Sequence, residues 1–88
     1  MKIEMHRSFE RSYLSRIANN IKLKKKFKER LLAFEFDRKD PVLKDHALIG
    51  KKIGLRSFSV TGDCRVVYIE ISSDHVLLLD VGTHNQVY

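Results

Sequence analysis

The sequence predicts an α+β fold: a helical hairpin packed on a sheet of about four strands. Two observations predict it. The last third of the chain, residues 55–88, breaks into three short strand-like runs, 55–60, 65–71 and 75–81. Turn residues Thr61-Gly62-Asp63 and Ser72-Ser73-Asp74 separate them. The first half instead carries apolar residues at three- and four-residue spacing, the period of a helix with one buried face.

In order, residues 2–5 alternate polar and apolar side chains, as a short strand does. Ser8 suits a helix N-cap. Phe9, Tyr13, Leu14 and Ile17 follow at helical spacing, and Asn19-Asn20 supplies a break. A second helix is expected over about 21–36, with Leu23, Phe27, Leu31 and Phe34 as its buried stripe. Residues 37–50 read as a loop, since Pro41 cannot continue a helix and restricts Asp40. In the middle strand of the last third, Asp63, Arg65, Val67 and Ile69 share one face, and Cys64, Val66 and Tyr68 the other. Both faces are mostly apolar, as in a central strand covered on both sides. The expected core is Phe27, Leu31, Phe34, Phe58, Val66 and Tyr68.

With 88 residues the chain is one domain. It has no room for a second, cofactor-binding unit, and no cofactor is expected. Cys64 is the only cysteine, which excludes an internal disulfide and a cysteine-rich zinc site. The apolar runs are too short to span a bilayer and the N-terminus lacks a secretory core, so a cytoplasmic protein without membrane association is expected. The formal net charge of +6 makes polyanions natural partners. Lys22, Lys24, Lys25, Lys26, Lys28 and Arg30 crowd the start of the second helix. They suit a solvated face, a phosphate-tracking surface, or a docking face for an acidic segment.

Phosphate-cradling glycine loops, dinucleotide fingerprints, zinc-protease motifs and nucleophile elbows are all missing. The histidines lack metal-ligand spacing, so no metal site is expected. His6 and His75 carry no functional signal. What remains is His46, Asp63, Arg65 and His84 on a basic background. These are the residue types that a metal-free ribonuclease needs. One group takes the proton of the 2′-OH, another protonates the leaving 5′-oxygen, and a cation steadies the charge on the phosphorane. Histidine suits proton transfer because it titrates near neutral pH, and arginine suits the anion because it stays charged and grips phosphate in a fork.

The stretches Pro41-Val42-Leu43-Lys44-Asp45-His46-Ala47-Leu48-Ile49-Gly50, Leu55-Arg56-Ser57-Phe58, Gly62-Asp63-Cys64-Arg65-Val66-Val67-Tyr68 and Val81-Gly82-Thr83-His84 resemble the RelE/ParE toxin superfamily. Asp45-His46-x-Leu48-x-Gly50 and Gly82-Thr83-His84 resemble its YafQ branch. The resemblance implies a helical hairpin on a twisted, mainly antiparallel sheet, like that of microbial ribonucleases. It implies a toxin of a type II toxin–antitoxin pair, a ribosome-dependent endoribonuclease acting on mRNA in the A site. It also implies a cognate antitoxin, the ribosome and mRNA as partners, and a toxin–antitoxin complex that binds operator DNA.

On the family's pattern, His46 and Asp63 fall on acid/base positions, and the sequence leaves open which is the base. His84 falls on the general acid, Tyr88 on a terminal aromatic that contacts mRNA, and Arg65 on a phosphate-stabilising arginine. Lys51, Lys52, Lys22 and Lys25 are expected to hold RNA phosphates. The YafQ pattern has histidine at Ser59, tryptophan at Cys64 and arginine at Asp80. Two alternatives follow from these departures and the shared fold. One is a non-catalytic ParE-like toxin that inhibits DNA gyrase, and the other is a decayed toxin that only binds its antitoxin.

Overall fold

A computed structural model describes all residues from Met1 to Tyr88. Strand β1 (Lys2–Met5) leads into α1 (Arg7–Arg16) and α2 (Ile21–Phe36). Strands β2 (His46–Ala47), β3 (Arg56–Ser59), β4 (Cys64–Ser72) and β5 (His75–Thr83) follow, and a four-residue helix, α3 (His84–Val87), closes the chain. The five strands form one sheet in the order β1-β5-β4-β3-β2. β1 runs parallel to β5, and every other pair is antiparallel. No helix is long and apolar enough to cross a membrane.

The second helix starts and ends where its apolar period says it should. The Asn20 side chain accepts from the Leu23 amide and satisfies an otherwise orphaned donor. The first helix starts earlier than expected, because His6 is its cap and accepts from the Ser8 amide. Ser8 lies inside α1 and its hydroxyl donates to the Leu79 carbonyl, pinning the helix to β5. His75 is tied to Glu4 at 2.6 Å across the parallel pair.

The sheet has five strands rather than about four, because β2 arises inside the expected loop. Two residues cannot display a period, so that strand had no sequence signature. A short 3-10 turn, Pro41–Leu43, precedes β2, and a second, Gly50–Lys52, follows it.

The two faces of β4 divide as its alternation predicts. Cys64, Val66 and Tyr68 join Phe9, Ile17, Phe27, Phe34 and Phe58 in the main core beneath the helices. Val67 faces the other way and forms a smaller cluster with Leu48 and Val87, with Leu55 against it. Phe34 stacks on Phe58 with centroids 4.5 Å apart and meets the Tyr68 ring edge-on at 5.1 Å. Leu31 is only partly buried and packs at the margin of this core. The second face is therefore not bare sheet: α3 covers part of it and leaves a groove between the C-terminus and β2.

Candidate active-site groove

The groove, of about 570 Å³, is lined by His46, Ala47, Leu48, Ile49, Lys51, Lys52 and Tyr88. Strand pairing builds it. His46 lies opposite Ser57, and Ser57 opposite Val67, so these three form one row across β2, β3 and β4. Tyr88 donates its hydroxyl to Ser57 Oγ at 2.6 Å and thereby closes the C-terminus over that row. The His84 ring meets the Tyr88 ring edge-on, centroids 4.5 Å apart, which is the one-turn spacing of α3. α3 itself is set by a capping box between Thr83 and Gln86.

Arg65 belongs to the next row, between Ser59 and Gly82. Two residues along β4 and two strands across place its Cα roughly 12 Å from that of His46, within joint reach of the two side chains. The arginine ion pairs of the molecule belong to Arg16, Arg38 and Arg56, and Arg65 has none. Its Nε is buried without a hydrogen-bond partner. A buried donor left unpaired is uncommon and calls for an explanation, such as a bound anion.

Asp63 is exposed in the turn before β4, and only its backbone is hydrogen-bonded, to Thr61. Because Cys64 pairs with Thr83, Asp63 stands at the end of the sheet where α3 and His84 begin. The structure thus brings His46, Lys51, Lys52 and Tyr88 into one groove and joins His84 to it through Tyr88. Arg65 and Asp63 lie beside the groove, in successive rows towards the α3 end. Lys22 stands elsewhere, in a shallow depression with Asn20, Leu23, Lys26 and Thr61, and Lys25 is exposed on the same helix.

His46 is held in a defined form. Its Nδ1 lies 2.8 Å from the Lys44 carbonyl oxygen, which can only accept. In the neutral ring Nδ1 therefore carries the hydrogen and Nε2 is bare. Burial, followed by the nearby Asp63 charge, pushes the Cys64 thiol up to about 11, so it is inert as a nucleophile at neutral pH. No group of three His, Cys, Asp or Glu side chains is arranged to hold a metal ion.

Two neighbours of the groove were not singled out from sequence. Ser57, which anchors Tyr88, is fully buried and looks like any small strand residue. Asp45, beside His46, is drawn into a network with Tyr68, Arg56 and Arg38. Asp80, where the YafQ pattern has arginine, turns instead to α1. It accepts from the Ser12 hydroxyl at 2.6 Å and from Arg16 at 3.2 Å. Arg16 also donates to the Val81 carbonyl, and a Cβ at Gly82 would meet its Nη1 at 2.9 Å. Gly82 therefore admits the Arg16 guanidinium against β5.

No family model matches the sequence, and no curated protein does. Solved structures do match its fold over almost the whole chain. A copper-bound mutant toxin from Helicobacter pylori is 25% identical with a TM-score of 0.72, covering 100% of this chain and 99% of that one. YafQ from E. coli strain BL21(DE3) is 23% identical with a TM-score of 0.70, over 99% of this chain and 97% of that one. This chain has the RelE/YafQ-like toxin fold. A third neighbour is the heterotetrameric YoeB–YefM toxin–antitoxin complex from Staphylococcus aureus. It is 20% identical with a TM-score of 0.73, over 96% of this chain and 97% of the matched one.

Proposed function

We propose that this RelE/YafQ-like chain is the toxin of a type II toxin–antitoxin pair and an endoribonuclease that cleaves mRNA in the ribosomal A site. The observation that carries the proposal is Arg65, a cation without a partner, its Nε buried on the sheet face beside the groove that holds His46 and Tyr88. Arg38 Nε is likewise buried without a hydrogen-bond partner, but the Arg38 guanidinium pairs with Glu70 through Nη2, whereas Arg65 makes no ion pair at all.

In this reading the RNA backbone crosses from Lys51 and Lys52 towards Arg65 and His84. The bare Nε2 of His46 takes the 2′-OH proton, and O2′ attacks the adjacent phosphorus. Arg65 steadies the added negative charge in a bidentate grip. His84 gives a proton to the departing 5′-oxygen, leaving a 2′,3′-cyclic phosphate and a free 5′-OH. Asp63, at the same end of the sheet as His84, offers a carboxylate to an imidazole N–H. Tyr88 packs against a base. Its ring is already braced by Ser57 and His84, so little side-chain entropy is lost when RNA binds.

An antitoxin partner is supported by the YoeB–YefM complex and by the net charge of +6, which suits an acidic, wrapping segment. Such a segment would cover the lysines of α2 and the groove together. The test is primer extension on an mRNA in a translation extract. Wild-type protein should give stops within codons at the A site only when ribosomes are present. Inhibition of DNA gyrase with mRNA left intact would replace this reading by the ParE-like one.

A further inference from the structure

We propose that Asp45 is a positioning residue, whose buried carboxylate locks the turn before β2 so that the Lys44 carbonyl keeps His46 Nε2 bare. The inference rests on the reading of His46 as the general base and adds the device that prepares it.

The Asp45 side chain is 8% exposed. Its two oxygens lie 2.8 and 2.7 Å from the Tyr68 hydroxyl, which donates to the carboxylate. Arg56 Nε donates to Oδ1 at 3.3 Å, and Arg38 Nε stands 4.0 Å from Oδ2. Every group that faces the carboxylate is thus a donor. Arg56 and Tyr68 are directly opposite one another on β3 and β4, so Asp45 is fastened to two strands at once. Tyr68 is fully buried in the main core and cannot follow a moving loop.

The backbone on either side needs that fastening. Lys44 has φ 49°, the left-handed region that side chains other than glycine rarely adopt. Such a conformation persists where the surroundings over-determine it. On one side Asp40 caps the preceding turn by accepting from the Val42 amide. On the other side stands Asp45. Between them the left-handed residue turns its carbonyl back onto His46 Nδ1. His46 is otherwise exposed on a strand of two residues, with nothing else to fix its ring. The tautomer of the proposed base is therefore set by a carbonyl, the carbonyl by a strained turn, and the turn by Asp45.

The experiment is nitrogen NMR of the His46 imidazole at alkaline pH, in wild-type protein and Asp45→Asn. The amide keeps the shape but puts an N–H donor among donors. Wild-type protein should show hydrogen on Nδ1, and Asp45→Asn should revert to the averaged pattern of a free histidine. Cleavage should fall roughly 10- to 100-fold, by analogy with the outer partners that orient a metal-bound histidine. Adding His46→Ala to Asp45→Asn should cost less than His46→Ala alone. A folded Asp45→Asn that keeps hydrogen on Nδ1 overturns the proposal. If that variant does not fold, Tyr68→Phe removes only the hydroxyl, and an unchanged tautomer there overturns it equally. The tautomer readout needs no RNA. It decides the role of Asp45 even where wild-type protein cleaves nothing, an outcome that overturns only the ribonuclease reading.

Discussion

Arg65→Met separates function from stability. The arginine makes no ion pair and its Nε is buried without a partner, so its removal breaks no bond that the fold uses. Leaving a buried donor unsatisfied costs about 1–3 kcal/mol, and methionine abolishes that donor while keeping an apolar stem of similar reach. Unfolding free energy should therefore stay level or rise by up to about 1 kcal/mol. The chemistry should move the other way. Loss of one preorganised donor to a developing oxyanion costs about 10²–10³ in rate, or about 2.7–4 kcal/mol. Arg65→Lys should recover only part of this, because an ammonium lacks the planar fork. Urea denaturation measures the first quantity, and single-turnover cleavage on programmed ribosomes measures the second. Cleavage at the wild-type rate in Arg65→Met would refute the reasoning. So would a loss of more than about 2 kcal/mol of stability, since the arginine would then be structural.

Alkaline titration should destabilise the folded state. Burial raises the Cys64 thiol from 9.0 to about 11, and burial and then the Asp45 hydrogen bond raise the Tyr68 phenol from 10.0 to about 12. The folded state resists both ionisations, so their contribution is complete below pH 9 and lost as pH rises through those windows. Each group accounts for at most about 1.4 kcal/mol per pH unit, and Tyr68→Phe should flatten the upper part of a urea-midpoint-against-pH curve. Ser57→Ala should free the Tyr88 ring, with faster amide exchange in α3 and weaker RNA binding but only about 1 kcal/mol of stability lost. Changing Lys22, Lys25, Lys51 and Lys52 to glutamine should flatten the salt dependence of ribosome binding by about 0.7 per lost phosphate contact, and an unchanged slope would remove them from the RNA surface.

The parts of this molecule that obey a period were legible before the structure. α2 begins and ends with its stripe, and the two faces of β4 pack into the two clusters that alternation assigns. What lay hidden depends on groups far apart in sequence. The face of β4 that carries Tyr68 marks it as core, but the partner of its hydroxyl, Asp45, is 23 residues earlier in a loop. Asp80 stands where the resemblance places a phosphate-binding cation, and its partners Arg16 and Ser12 lie 64 and 68 residues away. Ser57 and β2 carry no local pattern, since a buried serine and a two-residue strand gain their meaning from the C-terminus closing over them. His6 displaced Ser8 as the cap because Ser8 was recruited by the Leu79 carbonyl. In each case the sequence held the chemistry and the tertiary fold chose the partner.

The proposed cleavage is attack by the 2′-oxygen of the RNA, prepared by His46 and completed by His84. The most direct measurement is cleavage of a ribosome-bound mRNA that carries a single 2′-deoxynucleotide at the position otherwise cut. The all-ribose message should be cut there to a 2′,3′-cyclic phosphate or 3′-phosphate, the deoxy message should stay intact at that bond, and His84→Ala should slow the first reaction by about 10²–10⁴. Cleavage of the deoxy message at the same bond, or full activity in His84→Ala, would contradict it.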